Sequence, residues 1–205
     1  FERVLPWTRG VDTELFRPRD CRIFGSDKPV FLYVGRVAIE KNIEAFLKLE
    51  LDGRKVVVGT GPMLSELERR YPDVIFTGKR IGEDLAEAYA SADAFVFPSL
   101  TDTFGIVLIE AMASGLPVAA FPVTGPIDNV TNGVTGFLDD DLAKAARLAL
   151  RLDRSAVRVH GQSYSWENAG RLFMSNIETA LFSKQGRRVP ARAKRRLLRR
   201  TVSEL

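Results

Sequence analysis

The chain has 205 residues, of which 45% are hydrophobic, so it is long enough to bury the core of one domain. Its single cysteine, Cys21, excludes an internal disulfide and a multi-cysteine metal site, and its single histidine, His160, leaves no Ser-His-Asp triad and no histidine-rich zinc site within the chain. The formal net charge of +4 is unevenly placed, because residues 184–200 contain nine Lys and Arg and no acid. The basic character therefore belongs to this tail.

No apolar run approaches the length of a membrane-spanning helix, and the sequence does not open with a charged-then-apolar leader. We therefore expect a cytoplasmic protein, with the basic tail as a means of peripheral attachment to the inner face of the membrane. The first residue is Phe1 and not Met, which predicts a fragment or a processed form of a longer protein.

Short apolar runs alternate along the chain with stretches in which apolar residues have helical spacing. Five runs have the length and the Val, Ile and Phe content of buried strands, at 30–34, 55–58, 74–77, 94–97 and 118–121. Helices are predicted at 40–50, 63–71, 83–92, 106–114, 142–152 and 166–182, with a further short strand at 136–138. The alternation predicts an α/β fold, a Rossmann-like parallel sheet with helices on both faces, followed by a C-terminal helix and the basic tail.

Two cations follow the first predicted strand. Gly35 and Arg36 come directly after it, and Lys41 lies at the start of the next helix. Since ligands of parallel sheets bind at the carboxyl ends of the strands, both cations can point toward a phosphate group. Arginine offers a planar fork to phosphate oxygens and lysine a mobile point charge. The alternative is that both cations simply meet carboxylates on the surface.

The next two strand ends carry glycines and further cations. Residues 59–62 form a tight turn into a helix, but the third glycine of the dinucleotide fingerprint is missing and no Walker-type ending follows. Gly59 and Gly61 therefore belong to a phosphate-binding turn or only serve the turn itself. Lys79 and Arg80 follow the third strand, where they can lie against a base or form an ordinary surface turn.

The segment after the fourth strand carries two carboxylates, Asp102 and Glu110, eight positions apart. Phe104 and Gly105 open the helix between them, and a helix start at this edge offers free N–H groups and the positive end of its dipole to an anion. Asp102 in the loop and Glu110 about two turns into the helix suit a nucleotide-sugar whose diphosphate lies between the sugar and the ribose. The alternative is that Asp102 caps the helix and Glu110 is only solvated.

In this order the motifs resemble the C-terminal, donor-binding domain of the retaining bacterial "group 1" glycosyltransferases, which have two facing Rossmann-like domains (the GT-B fold). The matching segments are 35–36 with 41–42, 59–62, 76–78, 93–99, 102–118 and 132–136, and the resemblance extends over residues 9–182. We accordingly divide the chain into a leading segment or linker at 1–18, a nucleotide-sugar-binding Rossmann-like domain at 19–183 and the basic tail at 184–205.

The resemblance implies a site for a UDP-sugar or GDP-sugar, with no cofactor and no metal ion. Arg36 and Lys41 would bind the diphosphate, Glu110 would bind the ribose hydroxyls, and residues 78–80 would border the base. Backbone amides for the phosphates and the sugar would come from Thr103, Phe104 and Gly105. We therefore assign Arg36, Lys41, Asp102 and Glu110 to catalysis, and the substrate-binding role to Gly35, Gly59, Gly61, Lys79, Arg80, Thr103, Phe104 and Gly105.

Two features depart from the family pattern. The family usually has glutamate at the first position of its Glu-x7-Glu pattern, where this chain has Asp102, which retains the charge but has a shorter reach. Nothing in the chain corresponds to the family's N-terminal acceptor domain. We therefore expect the chain alone to bind donor without transferring the sugar to a lipid or saccharide acceptor.

Two other functions also fit the sequence. A nucleotide-sugar epimerase of a related fold would need a similar diphosphate pocket, although segment 102–118 fits it less well. A non-catalytic module would bind the donor and engage a partner or a membrane through its tail. In the tail no aromatic residue lies between the cations, so we expect an anionic membrane surface as its partner and not nucleic acid, with a solvated extension as the alternative.

Overall fold

The computed structural model describes residues 4–25 and 27–184. The chain divides into two compact units, one at 11–165 and the other formed by residues up to Gly10 together with those from Trp166 onward. The predicted membrane-binding segment, apart from Lys184 at its start, lies outside the described residues.

The unit at 11–165 is built on a six-stranded sheet in which every pairing is parallel. Its strands are β1 (Val30–Val34), β2 (Arg54–Val58), β3 (Ile75–Phe76), β4 (Ala94–Phe97), β5 (Val118–Ala120) and β6 (Gly136–Leu138). The strand order is β3-β2-β1-β4-β5-β6. The predicted parallel α/β sheet is therefore confirmed.

Helices cover both faces of this sheet. They are α1 (Ile43–Leu47), α2 (Leu64–Arg70), α3 (Gly82–Ala90), α4 (Ile106–Ala113), α5 (Pro126–Asn129), α6 (Leu142–Ala149) and α7 (Arg154–Gln162). Alternate residues of β1 belong to different cores, since Leu32 packs with side chains of α3, α4 and α7 while Phe31 packs with those of α1, α2 and α6. Because β1 is buried on both faces, it reads as a continuous apolar run.

The helix predicted at 40–50 is interrupted. A short 3-10 turn at Ile39–Lys41 is separated from α1 by Asn42, whose backbone is left-handed with φ 50°. The side-chain amide of Asn42 donates to the carbonyl of Pro98, 3.0 Å away. Asparagine tolerates this backbone conformation better than most residues, so the helix breaks where a tertiary hydrogen bond outweighs continued helical geometry.

Two helices of this unit, α5 and α7, were not predicted. In α7 the buried residues are Val157 and Gly161, and most of its other residues are polar, charged or small, so the sequence offers few apolar positions from which to predict a helix. A side chain at Gly161 would overlap the backbone of Met112, which shows that α7 packs closely on α4. Because the close contact between α7 and α4 is made at a glycine, it adds no apolar side chain to the sequence pattern by which a helix is predicted.

The second unit contains α8 (Trp166–Lys184), and its helix prediction is confirmed. The segment before Gly10 runs along this helix: the indole N–H of Trp7 donates to the carbonyl of Ala169 at 3.2 Å, and the Trp7 and Phe173 rings lie 5.4 Å apart. Among the helices in the described ranges, none has both the length and the hydropathy needed to cross a bilayer.

Candidate functional site

The strand order reverses between β1 and β4, with β2 and β3 to one side and β5 and β6 to the other. In open α/β sheets, ligands bind in the crevice outside the carboxyl ends of the strands at such a switch point. The loops after β1 and β4 meet here, because the amine of Lys41 lies 2.7 and 2.9 Å from the two carboxylate oxygens of Asp102. The structure thus joins two predicted site residues that are far apart in the sequence.

A cavity of about 490 Å³ lies over the carboxyl ends of β1 and β2 and the loop after β3, and neither Lys41 nor Asp102 is among the residues that line it. Six of the predicted site residues line it: Gly35, Arg36, Gly59, Gly61, Lys79 and Arg80. None of the described residues that line the cavity is acidic. A concave surface with three cations and no carboxylate favours an anionic ligand.

The three cations of the cavity have weak partners or none among the described residues. Arg36 pairs with Glu40 at 3.1 Å, but the two side chains are 64% and 49% exposed, so the pair adds little stability. The guanidinium carbon of Arg80 lies 5.7 Å from the centre of the Phe24 ring, a cation–π contact that leaves its N–H groups free for a ligand. Within the described ranges, Lys79 has no ion-pair partner. The positive charge therefore remains available.

The glycines of the cavity bring two loops together. The N–H of Gly35 donates to Val58 at 3.0 Å, and the N–H of Val37 donates to Thr60 at 2.9 Å. A Cβ atom on Gly59 would overlap the carbonyl of Gly35. The alternative interpretation, that this glycine serves the turn, thus has a physical basis, and the same close approach forms the wall of the cavity.

Asp102 does not cap α4, contrary to the alternative raised by the sequence. The N-cap is Gly105, with a left-handed backbone at φ 75° that favours glycine, and no side chain bonds to the cap. The Asp102 and Lys41 side chains are 21% and 29% exposed, so their bridge is only partly screened by water. Asp102 is therefore held toward the loop after β1. In the first turn of α4, the N–H of Leu108 donates to the carbonyl of Gly105 at 2.9 Å, whereas the N–H groups of Ile106 and Val107 precede the first intrahelical acceptor.

Tyr33 supports the backbone beside the cavity. Its hydroxyl donates to the carbonyl of Arg36 at 2.8 Å, and the side chain is almost fully buried. Burial raises the pKa of Tyr33, and the negative charges of Asp102 and Glu40 raise it further. The phenol therefore stays protonated and keeps its hydrogen bond to the loop that carries Arg36.

Glu110 lies on α4, away from the residues that line the cavity. Its Oε2 accepts a hydrogen bond from the hydroxyl of Tyr89 on α3, 2.8 Å away. Burial raises the pKa of Glu110, and the hydrogen bond from Tyr89 partly opposes that rise. Glu110 is therefore held by a neighbour and is not the freely solvated carboxylate of the alternative interpretation.

Asn129 supports the loop before α4, a role that the sequence analysis did not predict. It is only 3% exposed, and its side-chain amide donates to the carbonyl of Phe104 at 2.6 Å and to that of Gly125 at 3.0 Å. His160 contacts the carbonyl of Asn129 through Nε2 at 3.2 Å. Asn129 thus ties the loop before α4 to α5. An asparagine in a short turn-rich segment carries no local signal of that role.

In the part of the chain that the structure describes, no three His, Cys, Asp or Glu side chains are grouped so that they could hold a metal ion. The charged groups at the carboxyl edge are instead the cations Arg36, Lys41, Lys79 and Arg80, with Asp102 paired to Lys41. Glu110 lies on α4 and is bonded to Tyr89. Such a set can neutralise an anion and accept hydrogen bonds from hydroxyl groups.

A family model described as "Glycosyl transferases group 1" matches residues 28–154, which include the whole of this edge. The chain is 36% identical over 191 residues to sulfoquinovosyl transferase SQD2 of Arabidopsis thaliana, a match that covers 80% of this chain and 37% of that protein. It is 43% identical over 144 residues to a GDP-mannose-dependent alpha-mannosyltransferase of Mycobacterium tuberculosis, covering 66% of this chain and 38% of that protein.

Among solved structures, the fold is similar to that of sucrose-phosphate synthase from Thermosynechococcus elongatus. The TM-score is 0.73 at 31% sequence identity, and the match covers 89% of this chain and 53% of that chain. The chain spans well under half of the length of the two curated relatives, at 37% and 38%.

Proposed function

The chain belongs to the group 1 glycosyltransferases, and we propose that it supplies the part of such an enzyme that binds a nucleotide-sugar donor. The observation that carries this proposal is the cavity lined by Arg36, Lys79 and Arg80, without an acidic lining residue, together with the bridge to Asp102 from Lys41, which lies in the same segment after β1 as Arg36. The name of the mannosyltransferase relative supports a sugar nucleotide as the class of ligand. Both UDP-sugars and GDP-sugars belong to this proposal.

In the proposed complex the diphosphate lies between Arg36 and Lys41 and the first turn of α4. Two cations and the backbone N–H groups at the start of a helix are donors that suit a diphosphate. Lys79 and Arg80 border the base, because they follow β3 at the far side of the cavity from β4. Glu110 accepts hydrogen bonds from the ribose, and Asp102 faces the sugar.

The Lys41–Asp102 bridge prepares the site for this ligand. It holds the amine of Lys41 at the switch point without a donor present, so less side-chain freedom is lost when the diphosphate binds. Because the pair is only partly buried, Lys41 can turn one of its N–H groups to a phosphate oxygen and retain a bond to Asp102.

For the reaction, we propose transfer with retention at the anomeric carbon. The bond between that carbon and the phosphate oxygen breaks, and the oxygen of the acceptor hydroxyl group bonds to the carbon on the face that the phosphate leaves. The proton of that hydroxyl group passes to the departing phosphate oxygen. Negative charge grows on the departing nucleoside diphosphate, where Arg36 and Lys41 stabilise it most in the transition state. In this proposal the cations take the part that a metal ion plays elsewhere.

Calorimetry with a panel of UDP, GDP, their sugars and the free nucleosides tests the donor site. We expect the diphosphates to bind and the nucleosides to bind far more weakly, because the cations address the phosphates. Thermal unfolding should shift in the same order, since a ligand that binds only the folded chain raises its apparent stability. Equal binding of nucleoside and nucleoside diphosphate, or binding of neither, contradicts the proposal.

Assays of sugar transfer test the proposal that this chain binds the donor while a second domain binds the acceptor. The purified chain should bind donor yet transfer little or nothing, and turnover should require a second domain that supplies the acceptor side of the cleft. Matched assays with a full-length relative serve as the positive control. Sugar transfer at ordinary enzymatic rates by the purified chain alone would contradict the proposal.

A further inference from the structure

Tyr89 is buried in the core of the unit at 11–165, yet its hydroxyl group forms a hydrogen bond with a carboxylate. The ring is fully buried on α3, packed edge-on against Phe16 at 5.6 Å and against Phe95 at 5.8 Å. The hydroxyl donates to Oε2 of Glu110 on α4 at 2.8 Å. A phenylalanine would fill the same space, so packing alone does not account for a tyrosine here.

Glu110 depends on this one phenol. Tyr89 is its hydrogen-bond donor, and among the described residues no cation is paired with it. On the elements next to α4, Arg158 of α7 donates to the carbonyl of Ala113 at the other end of the helix, and His160 contacts Asn129 of α5. Neither contact reaches the carboxylate. Among the residues that the structure describes, Tyr89 is bonded to Oε2 and no other side chain named here reaches the carboxylate, so Oε1 of Glu110 is the oxygen left for a ligand.

We propose that Tyr89 is a positioning residue of the donor site: it holds Oε2 of Glu110 and thereby presents Oε1 to the ribose hydroxyls of the nucleotide. This inference rests on the proposed function, because it takes the ribose as the partner of Glu110. A carboxylate with one oxygen fixed by a rigid, buried phenol loses less freedom when it binds a hydroxyl group than one free to rotate.

The same contact determines how ribose binding depends on pH. Burial raises the pKa of Glu110, and the hydrogen bond from Tyr89 lowers it. A protonated carboxyl group is a weaker acceptor, so affinity for the ribose falls as the pH drops through the raised pKa. Removing the phenol hydroxyl takes away the opposing effect, and the fall in affinity moves to higher pH.

The test compares Tyr89→Phe with the unchanged chain on two kinds of nucleotide. UDP and GDP carry the ribose hydroxyls, whereas 2′,3′-dideoxy-UDP and 2′,3′-dideoxy-GDP lack them. The pair to compare is whichever of UDP and GDP binds more tightly, with its own dideoxy form. Calorimetry should show that Tyr89→Phe weakens binding of that ribonucleotide by about tenfold, the effect of one charge-assisted hydrogen bond. Binding of the dideoxy form should be nearly unaffected. Tyr164→Phe, at a half-buried tyrosine that is not assigned to the site, is the matched control and should change neither affinity.

Glu110→Gln separates this inference from the proposed function. This variant should reduce the ratio of the affinity for the ribonucleotide to the affinity for its dideoxy form. Adding Tyr89→Phe to Glu110→Gln should cause little further loss of affinity for the ribonucleotide. If Glu110→Gln discriminates between the nucleotides but Tyr89→Phe weakens both equally or neither, Tyr89 only packs and the inference is wrong. If Glu110→Gln does not discriminate, the ribose assignment of the donor site fails, and the inference fails with it.

The pH profile of the unchanged chain keeps the inference testable if Tyr89→Phe does not fold. Affinity for the ribonucleotide should fall on acidification, while affinity for the dideoxy form should change less. Where Tyr89→Phe does fold, the midpoint of the fall should lie at higher pH than in the unchanged chain. Profiles that are parallel for the two nucleotides contradict the inference.

Discussion

Arginines lie both at the amino ends of the strands, called here the amino edge, and at their carboxyl ends, the carboxyl edge. The hydrogen-bond partners of these arginines differ between the two edges. At the amino edge, the guanidinium of Arg158 donates to three backbone carbonyls, those of Thr13, Phe16 and Ala113. Arg154 donates to the carbonyls of Ala92 and Gly115, which precede β4 and β5. At the carboxyl edge, Arg36 meets one exposed carboxylate and Arg80 lies over a ring.

The aspartates of the two edges differ in the same way. Asp93 accepts from the N–H of Val30 at 2.9 Å and from Arg22 at 2.8 Å, so it closes the start of β1 against neighbouring segments. Asp102 accepts instead from the partly exposed amine of Lys41. We propose that charged groups bonded to the backbone, such as Arg158 and Asp93, maintain the fold, whereas those paired only with other side chains, such as Lys41, bind the ligand. Residue type does not distinguish the two roles, but the bonding does.

The largest expected effect is on stability, from Arg158→Met at the amino edge. The variant leaves three carbonyls without their donor and should lower the free energy of unfolding by roughly 2–4 kcal/mol. Urea unfolding measures this loss. Nucleotide affinity, measured where the variant is still folded, should be unchanged. A loss of less than about 1 kcal/mol would mean that the carbonyls find other donors, and the contrast between the edges would weaken.

At the carboxyl edge, Arg36→Ala and Lys41→Ala should each weaken binding of a nucleoside diphosphate by roughly 1–3 kcal/mol, the value of a lost charge-assisted bond. Stability without ligand should change little for Arg36→Ala, because its pair with Glu40 is exposed. Arg151→Ala, which removes an exposed charge after α6, is the matched control for net charge. Unchanged affinity in a folded double variant would remove Arg36 and Lys41 from the site.

The two aspartates give a smaller but sharper comparison. Asp102→Asn should weaken binding of a sugar-bearing donor by about 1 kcal/mol more than binding of the bare diphosphate, since its proposed partner is the sugar. Asp93→Asn should lower stability and leave both affinities unchanged. Calorimetry with the two ligands and thermal unfolding measure these effects. An equal loss for both ligands in Asp102→Asn would contradict its assignment to the sugar.

The basic tail offers a third group of cations, with the smallest effect per side chain. We propose that residues 184–200 bind an anionic lipid surface, with about 1 kcal/mol for each cation near the membrane and strong screening by salt. Co-sedimentation with anionic vesicles at low and high salt measures binding of the full chain and of a chain truncated after Ser183. Equal sedimentation of both would leave the tail as a solvated extension.

Much of this architecture could be predicted from local patterns. The runs around Leu32, Val57 and Phe95 are apolar on both faces, so they predict buried parallel strands, and the motifs after them predict where the charged loops lie. The interruption of the first helix at Asn42 could not be predicted, because the side chain of Asn42 donates a hydrogen bond to the carbonyl of Pro98, which is far away in the sequence. Helix α7 was missed because its close contact with α4 uses a glycine.

The sequence by itself determined the class of fold, the order of the elements and the loops that carry the candidate site, because apolar spacing and turn residues act over a few neighbouring positions. Only the tertiary structure decided the strand order, and with it the bridge between Lys41 and Asp102 across β1 and β4. It likewise decided that Glu110 rests on Tyr89. These contacts join residues many positions apart, and their geometry follows from how the helices and strands pack together.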